Sequence, residues 1–241
     1  MEKPYPAPLE NPGRIYFATE PRNATLGELW RMAPPTIGGK LGALLVKLFR
    51  LAGPPQIGIA FDDVIRCSPD DVAELQAAFH DTILVLAQLG FSPALAMQFS
   101  VIGDGHCSAL AFLGNDPSVY AIIVYSGARA TGREDTEAGL SFISRDATTI
   151  WATSNMLQTL DTPPIFNTQH LPGSSPERLH TVHCERIKVV SAKDLRRFDT
   201  DELWSTLREN EALITRFNLG RGVFRPMTVA EIAAASKIET A

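Results

Sequence analysis

Val119-Tyr-Ala-Ile-Ile-Val-Tyr125 is apolar or aromatic at every position, so as a strand it is apolar on both faces. Such a strand needs cover twice and belongs inside a sheet. It sits in a run from Met97 to His170 that breaks into short strand-like pieces separated by turn residues. Met97, Phe99 and Val101 alternate with Gln98 and Ser100, and Gly114-Asn-Asp-Pro117 joins Ser108–Leu113 to the central segment. Leu140–Ser144 and Thr148–Thr153 flank a turn at Arg145-Asp-Ala147, and Asp161-Thr-Pro-Pro164 leads into Ile165–His170. Links this short join antiparallel neighbours, because parallel ones need long crossovers. Segment 126–137, polar and containing glycine, reads as a long mobile loop between strands.

The expected fold is α+β: a mostly antiparallel sheet of about six strands over residues 97–170, flanked by N-terminal and C-terminal helices packed on one face. A first helix is expected from a cap at Asn23 or Thr25 through Met32, stopped by Pro34-Pro35. Ser68-Pro69-Asp70-Asp71 starts another, carrying Val72, Leu75, Phe79, Ile83, Leu86 and Leu89 to a stop at Gly90. This single helix over 69–89 is expected to cover one side of the central strand. The other side is left to the C-terminal helices, the 37–53 helix or a partner. Ser174-Ser-Pro-Glu-Arg178 opens a helix to about Val190, Thr200-Asp-Glu202 opens one to Gly220, and Thr228-x-x-Glu231 is a capping box for a short last one. Three parts follow: a Pro-rich arm with an amphipathic helix (1–55), an α+β core (56–190) and a helical extension (191–241).

The arm has prolines at 4, 6, 8, 12 and 21, with an edge strand expected over Arg14–Thr19. It is expected to lie on its own domain; its alternative use is to reach a protein partner or a second copy of the chain. In 37–53, Leu41, Leu44, Leu45, Leu48 and Phe49 recur at helical spacing while Lys40, Lys47 and Arg50 hold a narrow polar side. Two readings follow: a helix docked on the core with snorkelling lysines, or a cationic helix in a membrane interface.

Composition excludes some classes. A net charge of -5 argues against a nucleic-acid partner, which demands a basic face. Three scattered cysteines fit reduced thiols, and no apolar run reaches membrane-span length, so a cytoplasmic location is expected. Glycine-rich phosphate loops and the common hydrolase and zinc motifs are missing, and no cofactor is expected. Asp62-Asp63, adjacent on an extended chain, face opposite ways and have no third ligand nearby. His180-Thr-Val-His-Cys184 places His180 and Cys184 on one helix face, but zinc would need His106 and Cys107 to join from the sheet. No metal site is expected.

Gly103-Asp-Gly-His-Cys107 resembles the Asp-Gly-x-Cys element around the nucleophile of OTU-type deubiquitinating cysteine proteases. The resemblance covers about five residues. It implies a nucleophilic Cys107 with Asp104 matched, and a distant base among His170, His180 and His183, of which His183 is carried forward. The sequence departs from that family at the cysteine itself, where the family begins a helix and Ser108–Leu113 reads as a strand. A turn followed by a core strand explains the same residues. The order of strand, helix, meander and long C-terminal helix is similar to helix-grip and cystatin-like shapes, whose concave sheets hold a ligand or a partner. The expected function is therefore non-enzymatic ligand or protein binding. The alternatives are a hydrolase using Cys107 and a peripheral membrane protein held by 37–53.

Overall fold

The computed structural model describes residues 16–49, 59–101, 105–130 and 133–236. In chain order they form β1 (Phe17–Thr19), α1 (Leu26–Met32), α2 (Ile37–Phe49), β2 (Ile59–Cys67), α3 (Ala73–Ala78), α4 (His80–Gln88), β3 (Phe91–Val101), β4 (Gly105–Gly114), β5 (Tyr120–Ala130) and β6 (Arg133–Arg145). There follow β7 (Ile150–Ser154), β8 (Phe166–His170), α5 (Pro176–Ile187), α6 (Thr200–Gly220), β9 (Phe224–Pro226) and α7 (Val229–Ser236). The strands make one sheet in the order β8-β7-β6-β5-β4-β3-β2-β1-β9. The α+β class and the mostly antiparallel sheet are as expected, and the sheet is wider because β2, β1 and β9 extend it.

β5 is covered twice. On one face Ala121 and Ile123 lie with Leu110, Phe112, Leu140 and Phe142 under Leu75 of α3, Leu86 of α4, and Leu179 and Ile187 of α5. On the other, Tyr120 and Ile122 lie with Leu95, Met97, Ala109 and Ala111 under Phe198 and the α6 residues Leu203 and Leu207. Helices therefore pack on both faces rather than one, and α6 supplies the second cover.

The local starts lie within a residue or two of where the sequence wrote them. Thr25 Oγ1 accepts from Glu28 N at 3.2 Å while Glu28 Oε2 accepts from Thr25 N at 2.6 Å, closing a capping box on α1. Ser68 caps the turn before α3, Ser175 caps α5, Asp199 caps α6, and Thr228 and Glu231 cap α7.

Four expectations change. The helix over 69–89 is a 3-10 turn (Pro69–Val72) followed by α3 and α4, because Phe79 leaves helical geometry (φ -114, ψ 22). That bend lets Phe79 meet Tyr125 edge-on, with ring centroids 6.0 Å apart. The expected mobile loop over 126–137 is a ladder: β5 and β6 stay in register out to Ala130 paired with Arg133. Backbone pairing needs no apolar side chain, so polarity hid the hairpin. β7 and β8 run parallel, since residues 155–165 are long enough to carry the chain back over the sheet. β1 is not an edge strand, because Phe17–Thr19 pairs with β2 on one side and with β9 on the other.

Candidate functional site

Cys107 lies in β4, and the pleat decides which way it faces. Ala109 and Ala111 join the α6 layer while Leu110 and Phe112 join the opposite one. The register from Phe99–Cys107 through Met97–Ala109 is unbroken, so Cys107 faces α6. Burial, then the neighbouring Glu211 of α6, pushes its thiol up to about 12. An acid is the wrong neighbour for a thiolate.

His183 belongs to the other face. Its buried ring is bracketed by Ser144 Oγ, 3.0 Å from Nε2, and Thr153 Oγ1, 3.2 Å from Nδ1. Burial, then the charges of Arg186 and His180, pushes its pKa down to about 3. Arg186 donates to Thr153 Oγ1 at 2.8 Å and to Asn167 Oδ1 at 2.8 Å, so the cluster fastens α5 to β7 and β8. The sheet stands between Cys107 and His183, and the structure does not bring them together. Asp104 lies outside the described residues, as does the side chain of His106. His170 Nδ1 is 2.9 Å from Met156 O, on the β7–β8 side of the molecule.

What the structure does bring together is His180 and Cys184, with Nε2 and Sγ 3.4 Å apart. They line a groove of about 670 Å3. Its apolar walls come from Leu89, Phe91, Val119 and Ile187, and its polar points are Asn115, His180, Cys184 and Lys188. The geometry starts at Gly90, which ends α4 at φ 84 and passes its carbonyl to Asn115 N at 2.9 Å. A Cβ on Gly90 would meet Asn115 Nδ2 at 2.5 Å, so glycine is required by backbone and neighbour alike. Asp116 Oδ1 accepts from Ser118 N (3.0 Å) and Ser118 Oγ (2.9 Å), an Asx turn that fixes the groove's rim. The His180 ring meets Phe91 edge-on at 5.5 Å between centroids.

Electrostatically the pair is neutral. Burial lowers the His180 pKa, while burial and then Asp116 raise that of Cys184, against a smaller opposing pull from Lys188. Neither a thiolate nor an imidazolium is favoured, so the pair offers a donor and an acceptor and not a nucleophile. Among the described residues no three His, Cys, Asp or Glu side chains gather as a metal site.

A second surface differs in every respect. α1 and α2 pack through Ala24, Leu29 and Ala43. Lys47 Nζ donates to Ala24 O at 2.7 Å, and Lys40 Nζ donates to Trp30 O with the Trp30 ring 5.1 Å away. Both lysines thus point inward. Glu28 anchors this hairpin to the body: it is fully buried, pairs with Arg221 and accepts from Asp161 N at 2.8 Å. Burial alone would raise its pKa, but Arg221 and the backbone donors of Asp161 and Thr25 outweigh it and hold the carboxyl at about 2. The helical spacing of 37–53 was visible in the sequence, but which arc docks was not. Ala43, one helical step from the lysine side, is the buried residue of α2 and marks the docked arc.

No family model, no curated protein and no solved structure matches the chain. No helix among the described residues is long and apolar enough to cross a membrane.

Proposed function

We propose that the protein is a non-enzymatic binding protein, and that the groove beside α5 holds a small, largely apolar molecule with one polar end. One observation carries this: about 670 Å3 of concave space with mostly apolar walls and a few convergent polar groups. Ligand pockets of about 300–1,000 Å3 have that character. The neutral His180–Cys184 pair would accept or donate a single hydrogen bond to the polar end, with Lys188 at the rim. A reducing compartment such as the cytoplasm suits three cysteines that are all unpaired.

The test is a fluorescence titration with anilinonaphthalene sulfonate against the parent chain and Ala192→Trp. Ala192 is an exposed lining residue, so the indole fills the groove without disturbing the core. Saturable one-site binding that falls at least about tenfold in the variant is expected. Binding that is absent, or indifferent to the substitution, rejects the groove.

The cysteine-hydrolase alternative has its own measurement. With the Cys107 thiol pushed from 9.0 to about 12, its thiolate fraction at neutral pH is about a thousandfold below that of a free thiol. Iodoacetamide labelling followed by peptide mapping should find Cys107 slow. Labelling as fast as glutathione would revive the hydrolase.

A further inference from the structure

We propose that the outward face of α2 is a docking site for a lipid surface, held by apolar insertion and not by charge. This site is separate from the groove, and neither depends on the other.

At about 100° per residue, Ile37, Leu41, Leu44, Leu45, Leu48 and Phe49 fall in one arc of about 140°. All six are exposed, Ile37 by 90%, Phe49 by 67% and Leu48 by 66%. Large apolar side chains so far out of a fold and so contiguous mark an interaction surface. Gly38 falls inside the arc and Gly42 just past its Phe49 edge, and a Cβ on either would meet nothing within 4 Å. The arc contains no side-chain donor, acceptor or charge. The two lysines of α2 are on the docked side, bonded to backbone carbonyls.

Those facts choose between occupants. A stable pair of proteins buries about 800 Å2 per partner over some 20–30 residues a side, with about one hydrogen bond per 100–200 Å2. Six side chains on one 13-residue helix, offering no hydrogen-bonding group, fall short in residue number and in hydrogen bonds. A bilayer interface asks only for an apolar face sunk about 5–10 Å. The described helix, Ile37–Phe49, is about 20 Å long against a hydrocarbon core of about 30 Å, so it would lie in the plane of the surface. It is also already folded and fastened through Glu28, so no ordering cost accompanies insertion. Because the lysines face inward, neutral headgroups serve as well as anionic ones.

The experiment is co-sedimentation of the full chain with phosphatidylcholine vesicles and with phosphatidylcholine–phosphatidylglycerol vesicles, at low and high salt. Binding to both is expected, nearly independent of salt, with an association constant near that of a single myristoyl chain, about 10⁴ M⁻¹. Leu41→Glu/Leu48→Glu changes two exposed positions; its circular dichroism should match the parent while partition falls about a hundredfold. Binding only to anionic vesicles and lost in salt would overturn the apolar mechanism. No pelleting with either vesicle overturns the site, and a dimer in sedimentation velocity that the double variant abolishes would assign the face to a second copy instead.

Discussion

α2 and α6 are both amphipathic helices, and they are mounted in opposite senses. α6 lays Leu203 and Leu207 on the sheet, both buried, and leaves Asp201 and Arg208 in solvent. α2 turns Lys40 and Lys47 to the body and leaves its leucines outside. One helix is finished by the chain's own core; the other keeps its large apolar side chains exposed. Periodicity alone is the same in both cases, which is why it cannot tell a core helix from a docking helix.

The contrast is sharpest in stability. Leu203→Ala should lower unfolding free energy by about 4 kcal/mol in urea, since it empties a fully buried site, whereas Leu48→Ala should change it by less than about 0.5 kcal/mol. Equal losses would mean that α2 is covered after all and would break the comparison.

Glu28 joins the two regions, since it sits in α1 and its partner Arg221 caps the end of α6. Glu28→Ala should cost about 3 kcal/mol by leaving Arg221 without its buried partner. The sign with pH follows from a folded pKa of about 2 against an ordinary 4.5. This stabilisation is complete above pH 4.5 and is lost as pH falls from there through 2. Urea midpoints of parent and variant should therefore converge in that window; a constant gap would show that the charge is not the cause.

The smallest effect lies under α6. Burial pushes Glu211 up to about 7 from 4.5, so its stabilising neutral form is complete below pH 4.5 and its contribution declines as pH rises through 7. Glu211→Gln should match the parent below pH 4.5 and exceed it by about 1–2 kcal/mol at pH 8, a shift discounted for the partial exposure of the group. Thermal melts across that range decide it, and a variant weaker than the parent at pH 8 would mean that Glu211 has a partner its burial does not suggest.

Much of the fold was legible where one residue type does one local job. Thr25, one of the two caps the sequence offered, and Thr228 with Glu231 open helices, and Ser68 with Pro69 opens a 3-10 turn where a helix start was expected. The doubly apolar 119–125 strand is indeed covered on both faces. Legibility failed where pairing overrides composition. Pro93 hid the first half of β3, because a proline argues against a strand, yet it sits where the ladder shifts register. The candidate site was half legible. His180 and Cys184 share a face by spacing alone, but Phe91 and Asn115, which build the groove around them, are brought there by β3 and the β4–β5 turn. Cys107 and His183 show the converse: the pleat gives Cys107 a side and the buried arc of α5 gives His183 one, and nothing in the sequence says that α5 and α6 cover different sides.

The pairing of β1 with β9 fixes a sequence of events in the life of the chain. Phe17–Thr19 leaves the ribosome early, yet its outer neighbour Phe224–Pro226 comes more than two hundred residues later. Arg225 then reaches Glu20 at 2.5 Å, and Arg221 reaches Glu28. The β3–β6 hairpins, made of near neighbours, can form during synthesis, while closing so long a loop must wait for the C-terminal segment. Of the groups that hold Glu28, Asp161 is made first and Arg221 follows some sixty residues later. A chain that stops before residue 221 keeps the Asp161 contacts but lacks the Arg221 pair, so α2 is held by both only once the end of α6 is in place.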